Sequence, residues 1–396
     1  MAQRVYGLIQ GYEDLNDHEQ LRHDPMFQIA LEKLSGAKGE AVALAGKSTL
    51  NRIEHTPVEV SKRQESRYHR IAAKPQAIEQ LFVEVFLESS AKPPKQIVLD
   101  LDVTDDLVHG QQEQAFFNTY YGGVCYAPLY LFCGKHLLAA KLRPSNIDPA
   151  GGALEELQRV IGVIRKRWAQ TRILVRGDSA YAREDIMVWC EAQTGVDYVF
   201  GLASNARLER MSLPTQYKAL ADYEYRQQPV VWYRSLWYQT LDSWSRFRRV
   251  VAKVAYGSEG FVQRFVVTSL PPSRVPPGQL YSQKYCPRGE MENRFKEQKL
   301  QLSSDRTSTH TFEGNQLRLW FASLAYVLIQ ALRQHCLSKT ELAQAQVGTI
   351  RTQLLKLGAQ VKLSARRILI SISSGCPFQD VFTIAYRKLH TLPQAD

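Results

Sequence analysis

Ile97-Val98-Leu99-Asp100-Leu101-Asp102-Val103 is the stretch on which the fold turns. A short apolar run with β-branched residues, entered from Lys92-Pro-Pro-Lys95 and closing on acids, reads as a buried strand with carboxylates at its end. Downstream, Cys125 to Phe132 and Leu137 to Leu142 read as two more strands joined by a turn at Gly134-Lys135. Residues 151–169 place Leu154, Leu157, Val160, Ile161, Ile164 and Trp168 on one side of an amphipathic helix. Arg172-Ile-Leu-Val-Arg-Gly-Asp178 is then a second strand ending on an aspartate, followed by a helix over 183–193 and a strand from Asp197 to Leu202. This order gives a mixed α/β core, with acids at the strand ends where such sheets place their sites.

On either side the pattern changes. Gly7 to about Glu88 is helical in pattern and includes a basic run with Lys62, Arg63, Arg67, His69 and Arg70. Residues 203–270 hold Trp232, Trp237 and Trp244 and two alternating runs, Phe247 to Tyr256 and Phe261 to Leu270, which predict a β-rich insertion with an antiparallel hairpin. Asn315 to His335 is the most apolar helix, and its Leu317–Leu332 stretch contains Arg318, Ser323 and Gln330 and is too short to span a bilayer.

The 396 residues carry 50 Lys and Arg against 39 Asp and Glu, a net charge of +11 that points to a polyanionic partner, nucleic acid ahead of membrane. Six scattered cysteines form no Cys-x-x-Cys pair, which argues against a zinc site or disulfide framework and for a reducing cytoplasm. Gly46-Lys47-Ser48-Thr49 has alanine at position 41, where a phosphate-binding loop needs glycine, and reads as the opening of a helix. From Glu341 to Asp380 there is no intervening acid, while Arg351, Lys356, Lys362, Arg366 and Arg367 lie there. That pattern suits a phosphate-binding face or an ordinary solvated helix and strand edge.

The chemistry-bearing segment is Tyr285-Cys-Pro-Arg288-Gly-Glu-Met-Glu292-Asn-Arg-Phe-Lys-Glu-Gln-Lys299. Pro287 suits a first helical turn, and no breaker follows until Ser303-Ser304. At 3.6 residues per turn, Arg288, Glu292 and Lys299 fall within roughly 40° of one another, so one face carries a carboxylate between two cations. Such pairs also occur on ordinary solvated helices. With Asp102 and Asp178 at neighbouring strand ends, however, Glu292 completes a set of three acids able to hold a pair of divalent ions for phosphodiester chemistry.

These residues resemble an insertion-sequence DDE transposase of the branch defined by a Tyr-x2-Arg-x3-Glu-x6-Lys signature. Asp102 in Asp-Val-Thr resembles the family's first aspartate, Asp178 in Arg-Gly-Asp-Ser-Ala-Tyr the second, and Glu292 the glutamate. Tyr285, Arg288 and Lys299 fill the remaining signature positions, and the 113 residues between Asp178 and Glu292 leave room for the β-strand insertion of that branch. The resemblance implies a ribonuclease H-like sheet flanked by helices, Mg2+ or Mn2+ as cofactor, transposon-end and target DNA as partners, and a homodimer at synapsis. It implies catalytic and metal-binding roles for Asp102, Asp178 and Glu292, DNA contacts for Tyr285, Arg288 and Lys299, and a bacterial cytoplasmic, nucleoid-associated location. The expected organisation is an N-terminal helical DNA-end-binding region over 1–95, a catalytic core over 96–202 and 271–340, a β-strand insertion domain over 203–270, and a basic dimerisation region over 341–396. Relatives of this branch can stack an insertion-domain tryptophan on a flipped base. Of Trp232, Trp237 and Trp244, at least two read as buried strand aromatics. Family sequence begins almost at Met1, so a shortened end-binding segment is expected. A nuclease that does not join strands, and a DNA-binding remnant without catalysis, are the alternatives.

Overall fold

A computed structural model describes residues 1–33, 42–59, 71–364 and 367–392. The basic run from Lys62 to Arg70 and residue Arg366 lie outside these described residues. In chain order the elements begin with α1 (Ala2–Ile9), α2 (His18–Leu21), α3 (Pro25–Ala30), α4 (Lys47–His55) and α5 (Pro75–Glu88). Then come β1 (Gln96–Val103), β2 (Asp106–Leu107), β3 (Phe116–Asn118), β4 (Gly123–Tyr126), β5 (Leu129–Cys133) and β6 (His136–Lys141). They continue with α6 (Ala153–Arg167), β7 (Arg172–Gly177), α7 (Glu184–Ala192), β8 (Val196–Leu202), α8 (Ala206–Arg226), β9 (Val230–Tyr238), β10 (Arg248–Gly257) and β11 (Gly260–Thr268). The last are α9 (Pro277–Gln279), α10 (Met291–Leu302), α11 (Phe312–His335), α12 (Val347–Ile350), β12 (Ala359–Leu363), β13 (Ile368–Ile372) and α13 (Gln379–Thr391).

Eight strands form one mixed sheet in the order β6-β5-β1-β7-β8-β11-β10-β9. The centre, β1-β7-β8, is parallel, and antiparallel strands extend it on both sides. The segment read as a β-rich insertion is helix α8 followed by three strands, and β11 pairs with β8, so these strands share the sheet of the centre. The expected strand from Cys125 to Phe132 is instead two. β4 ends at Tyr126 in a small sheet with β2 and β3, and β5 begins at Leu129 in the large one. Pro128, which has no N–H to donate to a ladder, stands in the gap.

Strand alternation sorts side chains onto the two faces. Leu99, Leu101, Ile173, Val175, Tyr198 and Phe200 point to a core covered by α5, α6 and α7. Helix α6 closes it with Ala153, Leu157, Val160, Ile161 and Ile164, one apolar stripe at helical spacing. The opposite face is covered in two parts. Tyr130 and Phe132 of β5 meet Phe295 of α10 and Phe321 and Tyr326 of α11. Val98, Leu174, Val199 and Val266 meet Leu280, Tyr281 and Tyr285, carried by the segment after β11. This second face carries the site. Among the described residues no helix is long and apolar enough to cross a membrane.

Candidate active site

β1 and β7 run parallel with Gln96 opposite Arg172 and, at the last paired position, Asp100 opposite Arg176. Two residues past that pair lie Asp102, still in β1, and Asp178, just beyond the end of β7, and alternation carries both toward the same face. Asp100 is 1% exposed and bound on both oxygens by Arg176, whose third nitrogen donates to Lys284 O at 2.7 Å. That buried pair ties the strand ends to the covering segment and leaves Asp102 as the next carboxylate outward.

Asp102 accepts from the Val103 N–H at 3.0 Å on Oδ1 and from an Arg288 nitrogen at 2.9 Å on Oδ2. Burial raises its pKa to about 6, opposed by Arg288 and the Val103 N–H and reinforced by the nearby Asp178 and Asp100 charges. Asp178 caps the short turn Ser179–Tyr181 by accepting from the Ala180 N–H at 2.9 Å.

The covering segment changes winding as it passes over the strand ends. Leu280–Tyr285 is a wide π turn, Cys286–Glu290 a tight 3-10 turn, and α10 follows as regular helix. The helix expected to run unbroken from Pro287 therefore becomes regular only at Met291, and it stops at Ser303, which takes a left-handed φ of 55°. Pro287 has no N–H for the helical ladder, which accounts for a change of winding there. Burial works against the charge of Arg288, but Asp102, then Tyr285 and Asp178, sustain it and raise its pKa. Gly201 on β8 is what lets Tyr285 in: a Cβ there would stand 2.7 Å from the Tyr285 hydroxyl and 2.9 Å from the Ser179 nitrogen.

Tyr181 joins the site's surroundings through no motif in the sequence. Its side chain is 1% exposed, yet its hydroxyl has no hydrogen-bond partner among the described residues. Burial holds that hydroxyl protonated far above its ordinary range, and Asp102, Arg143 and Asp178 are the groups acting on it. Its ring fits because Gly177 has no Cβ, which would lie 2.6 Å from it. The available signal was position: Tyr181 closes the same Arg-Gly-Asp-Ser-Ala-Tyr segment as Asp178.

Lys299 faces elsewhere. Its ammonium donates to the Asp105 carbonyl oxygen and lies 3.3 Å from an Asp105 carboxylate oxygen and 3.6 Å from one of Asp106. Asp106 is fully buried, and burial, against the opposing Lys299, raises its pKa to about 8. Glu292 is exposed in the first turn of α10 and makes no hydrogen bond or ion pair among the described residues. The structure thus brings Asp102, Asp178, Tyr285 and Arg288 together, holds Lys299 in an acidic nook, and leaves Glu292 one helical turn beyond Arg288, about 6 Å along the axis.

For a divalent ion the donor chemistry fits in part. Asp102 and Asp178 present hard oxygens on one face, and their charges act on the unpartnered Tyr181 hydroxyl, whose ring packs in the core behind α6 and α7. No group of three His, Cys, Asp or Glu side chains among the described residues is gathered as a metal cage.

The other candidates separate clearly. Only Trp244 of the three tryptophans is buried, which corrects the expectation of two. Trp232 is 38% and Trp237 59% exposed. Both lie on β9, the edge strand, where one neighbour is missing. Trp232 donates its indole N–H to Asp222 at 3.1 Å. In the late basic stretch, Arg351 donates to the backbone oxygens of Leu8, Ile9 and Gln301, and Lys356 lies 4.4 Å from the Tyr12 ring centre, so both are engaged within the chain. Lys47 opens α4 behind Gly46, in keeping with the helix-start reading.

The family described as transposase DDE domain group 1 matches residues 1–394, and the chain belongs to it. No curated protein matches in sequence. Two solved structures show a distant likeness. The cryo-EM structure of the piggyBac transposase synaptic complex with hairpin DNA is 8% identical, covers 99% of this chain and 82% of its own, and has a TM-score of 0.41. The Mos1 transposase paired-end complex with left transposon end is 10% identical, covers 54% of this chain and 64% of its own, and has a TM-score of 0.19. At those scores the likeness carries no argument about fold or partners.

Proposed function

We propose that this member of the transposase DDE domain group 1 family binds the terminal inverted repeats of an insertion sequence and cuts and joins DNA strands there. The observation that carries the reading is the placement of Asp102 and Asp178, each two residues past the last paired position of neighbouring parallel strands. Asp102, Asp178 and Glu292 would hold Mg2+ or Mn2+, with Glu292 drawn in from its place one turn past Arg288. Such ions, when bound, activate an attacking oxygen and offset charge on the leaving one.

The remaining steps belong to the chain's own side chains. Asp102 must be ionised to serve as a donor, and Arg288 at 2.9 Å favours that form. A guanidinium binds a phosphate through two parallel hydrogen bonds, so Arg288 can turn from Asp102 to an arriving DNA phosphate. Tyr285 supports it from its niche over Gly201. Tyr181 keeps a buried, unpartnered hydroxyl within the field of the two aspartates, where bulk water is excluded.

The finer parts of the reading follow from the signature. The sheet is ribonuclease H-like, the branch is that of Tyr285, Arg288, Glu292 and Lys299, and residues 203–270 form its insertion. Residues 1–95 bind element ends, 341–396 serve dimerisation, and a homodimer pairs two ends in the cytoplasm. Purified Asp178→Asn and Glu292→Gln proteins should bind end DNA and fail to cut it. Cleavage by either at the wild-type rate would refute the assignment. A DNA-binding chain without catalysis is the second reading, favoured by the outward position of Glu292. End binding without Mg2+- or Mn2+-dependent cutting by the wild type would select it.

A further inference from the structure

The segment from Arg288 to Lys299 is tied at two points, to the end of β1 and to the start of β2 just after it. Arg288 donates to Asp102, and Lys299 donates to the carbonyl of Asp105 while facing the carboxylates of Asp105 and Asp106. Eleven residues of tight turn and helix separate the two cations, about 16–18 Å along the axis at 1.5–2.0 Å per residue. Asp102 and Asp105 are separated by at most about 11 Å of extended chain. Glu292 lies between the two ties.

The second tie is a built one. Asp106 is fully buried, and neither of its oxygens has a hydrogen-bond partner among the described residues. Lys299 is 3.6 Å away and only 18% exposed. The Lys299 ammonium is thus already engaged inside the protein before any DNA arrives, by the Asp105 carbonyl and by two acidic side chains, one of them fully buried. An ammonium donating to a backbone carbonyl and facing two carboxylates is also poorly free to neutralise a phosphate.

We infer that Lys299 is a positioning residue, an internal strap that fixes the Asp102 strand end against the helix carrying Glu292, rather than a contact to DNA phosphate. The inference rests on the reading of Asp102 and Glu292 as partners in one site. It assigns Arg288 and Lys299 different tasks: Arg288 stands at the site, and Lys299 holds two of its walls together from behind.

Three measurements on the full chain test it, with Lys299→Met, Asp106→Leu and the double variant. In urea unfolding of the free protein, either single substitution should lower the midpoint, and the double should recover most of the loss, because both partners of the buried pair are gone. Additive losses would overturn the strap. In binding to a mixed-sequence 30-base-pair duplex at increasing KCl, the slope of log K against log salt should be the same for Lys299→Met as for wild type. A slope shallower by about 0.9 would identify a phosphate contact and overturn the inference.

The third measurement is Mn2+ binding followed by electron paramagnetic resonance. Removing a nearby positive charge should tighten Mn2+ binding by Coulomb's law. Loss of the strap should instead weaken it at least fivefold, and Lys299→Arg should restore it. Tighter or unchanged binding by a folded Lys299→Met protein would overturn the positioning role. If the wild type binds neither duplex nor Mn2+, the proposed function fails, while the unfolding cycle still decides whether the strap exists.

Discussion

The Tyr285 hydroxyl lies 2.7 Å from where a Cβ on Gly201 would stand, so a residue of the late signature and a glycine of β8 share one space. The same absent Cβ would also lie 2.9 Å from the Ser179 nitrogen, next to Asp178. Gly201 thus lets the covering segment approach the strand ends closely.

Gly201→Ala should therefore move Tyr285 or the Asp178–Ser179 backbone. Overpacking of this kind costs about 1–3 kcal/mol. A lower urea midpoint together with weakened Mn2+ binding is expected, and a fully wild-type variant would show that the close approach is not needed.

Arg176→Leu should be more damaging. It leaves Asp100, 1% exposed, without its guanidinium, and breaking a buried ion pair on one side costs about 3–5 kcal/mol. Asp100→Leu combined with Arg176→Leu should regain most of that, as read from urea unfolding. An equal loss in the double variant would mean that the tie to Lys284 O matters more than the pair.

Tyr181→Phe removes a buried hydroxyl with no partner among the described residues, so folding stability should stay level or rise by up to about 1 kcal/mol. Mn2+-dependent cleavage should nonetheless slow, because a buried hydroxyl dipole in the field of Asp102 and Asp178 is lost. Unchanged cleavage would leave Tyr181 as packing alone.

Stability should fall in mild acid through His18. This imidazole is fully buried, and burial, with the Arg4 charge acting the same way, lowers its pKa to about 4. In the unfolded chain it titrates near 6.5. Between those values the unfolded state binds the proton and the folded state does not, so stability is full above about 6.5 and is lost as pH falls toward about 4. At pH 5 the loss from this group is about 2 kcal/mol. The drop in urea midpoint between pH 7.5 and 5 should shrink in His18→Gln; an equal drop would place the acid sensitivity elsewhere.

Much of the site's frame was legible in the chain because strand periodicity is a local signal. The apolar run ending at Asp102, the strand ending at Asp178 and the amphipathic helix between them stand where the pattern put them, and β1 pairs with β7 as expected. The split at Pro128 shows where a continuous apolar pattern misleads, since Cys125 and Phe132 belong to different sheets. Trp232 and Trp237 are exposed against expectation because edge position depends on strand order, which no local pattern encodes. The same limit applies to the cations of the signature. Spacing puts Arg288 and Lys299 on one helical face, but the partners that separate their roles, Asp102 for one and Asp105 with Asp106 for the other, are defined only by tertiary contact.

Two aspartates acting as one cation site are the centre of the proposed function, and Mn2+ titration followed by electron paramagnetic resonance tests that directly. Wild type should bind Mn2+, and Asp102→Asn and Asp178→Asn, each still folded by urea unfolding, should each lose at least tenfold in affinity. Wild-type affinity in either variant would contradict the account.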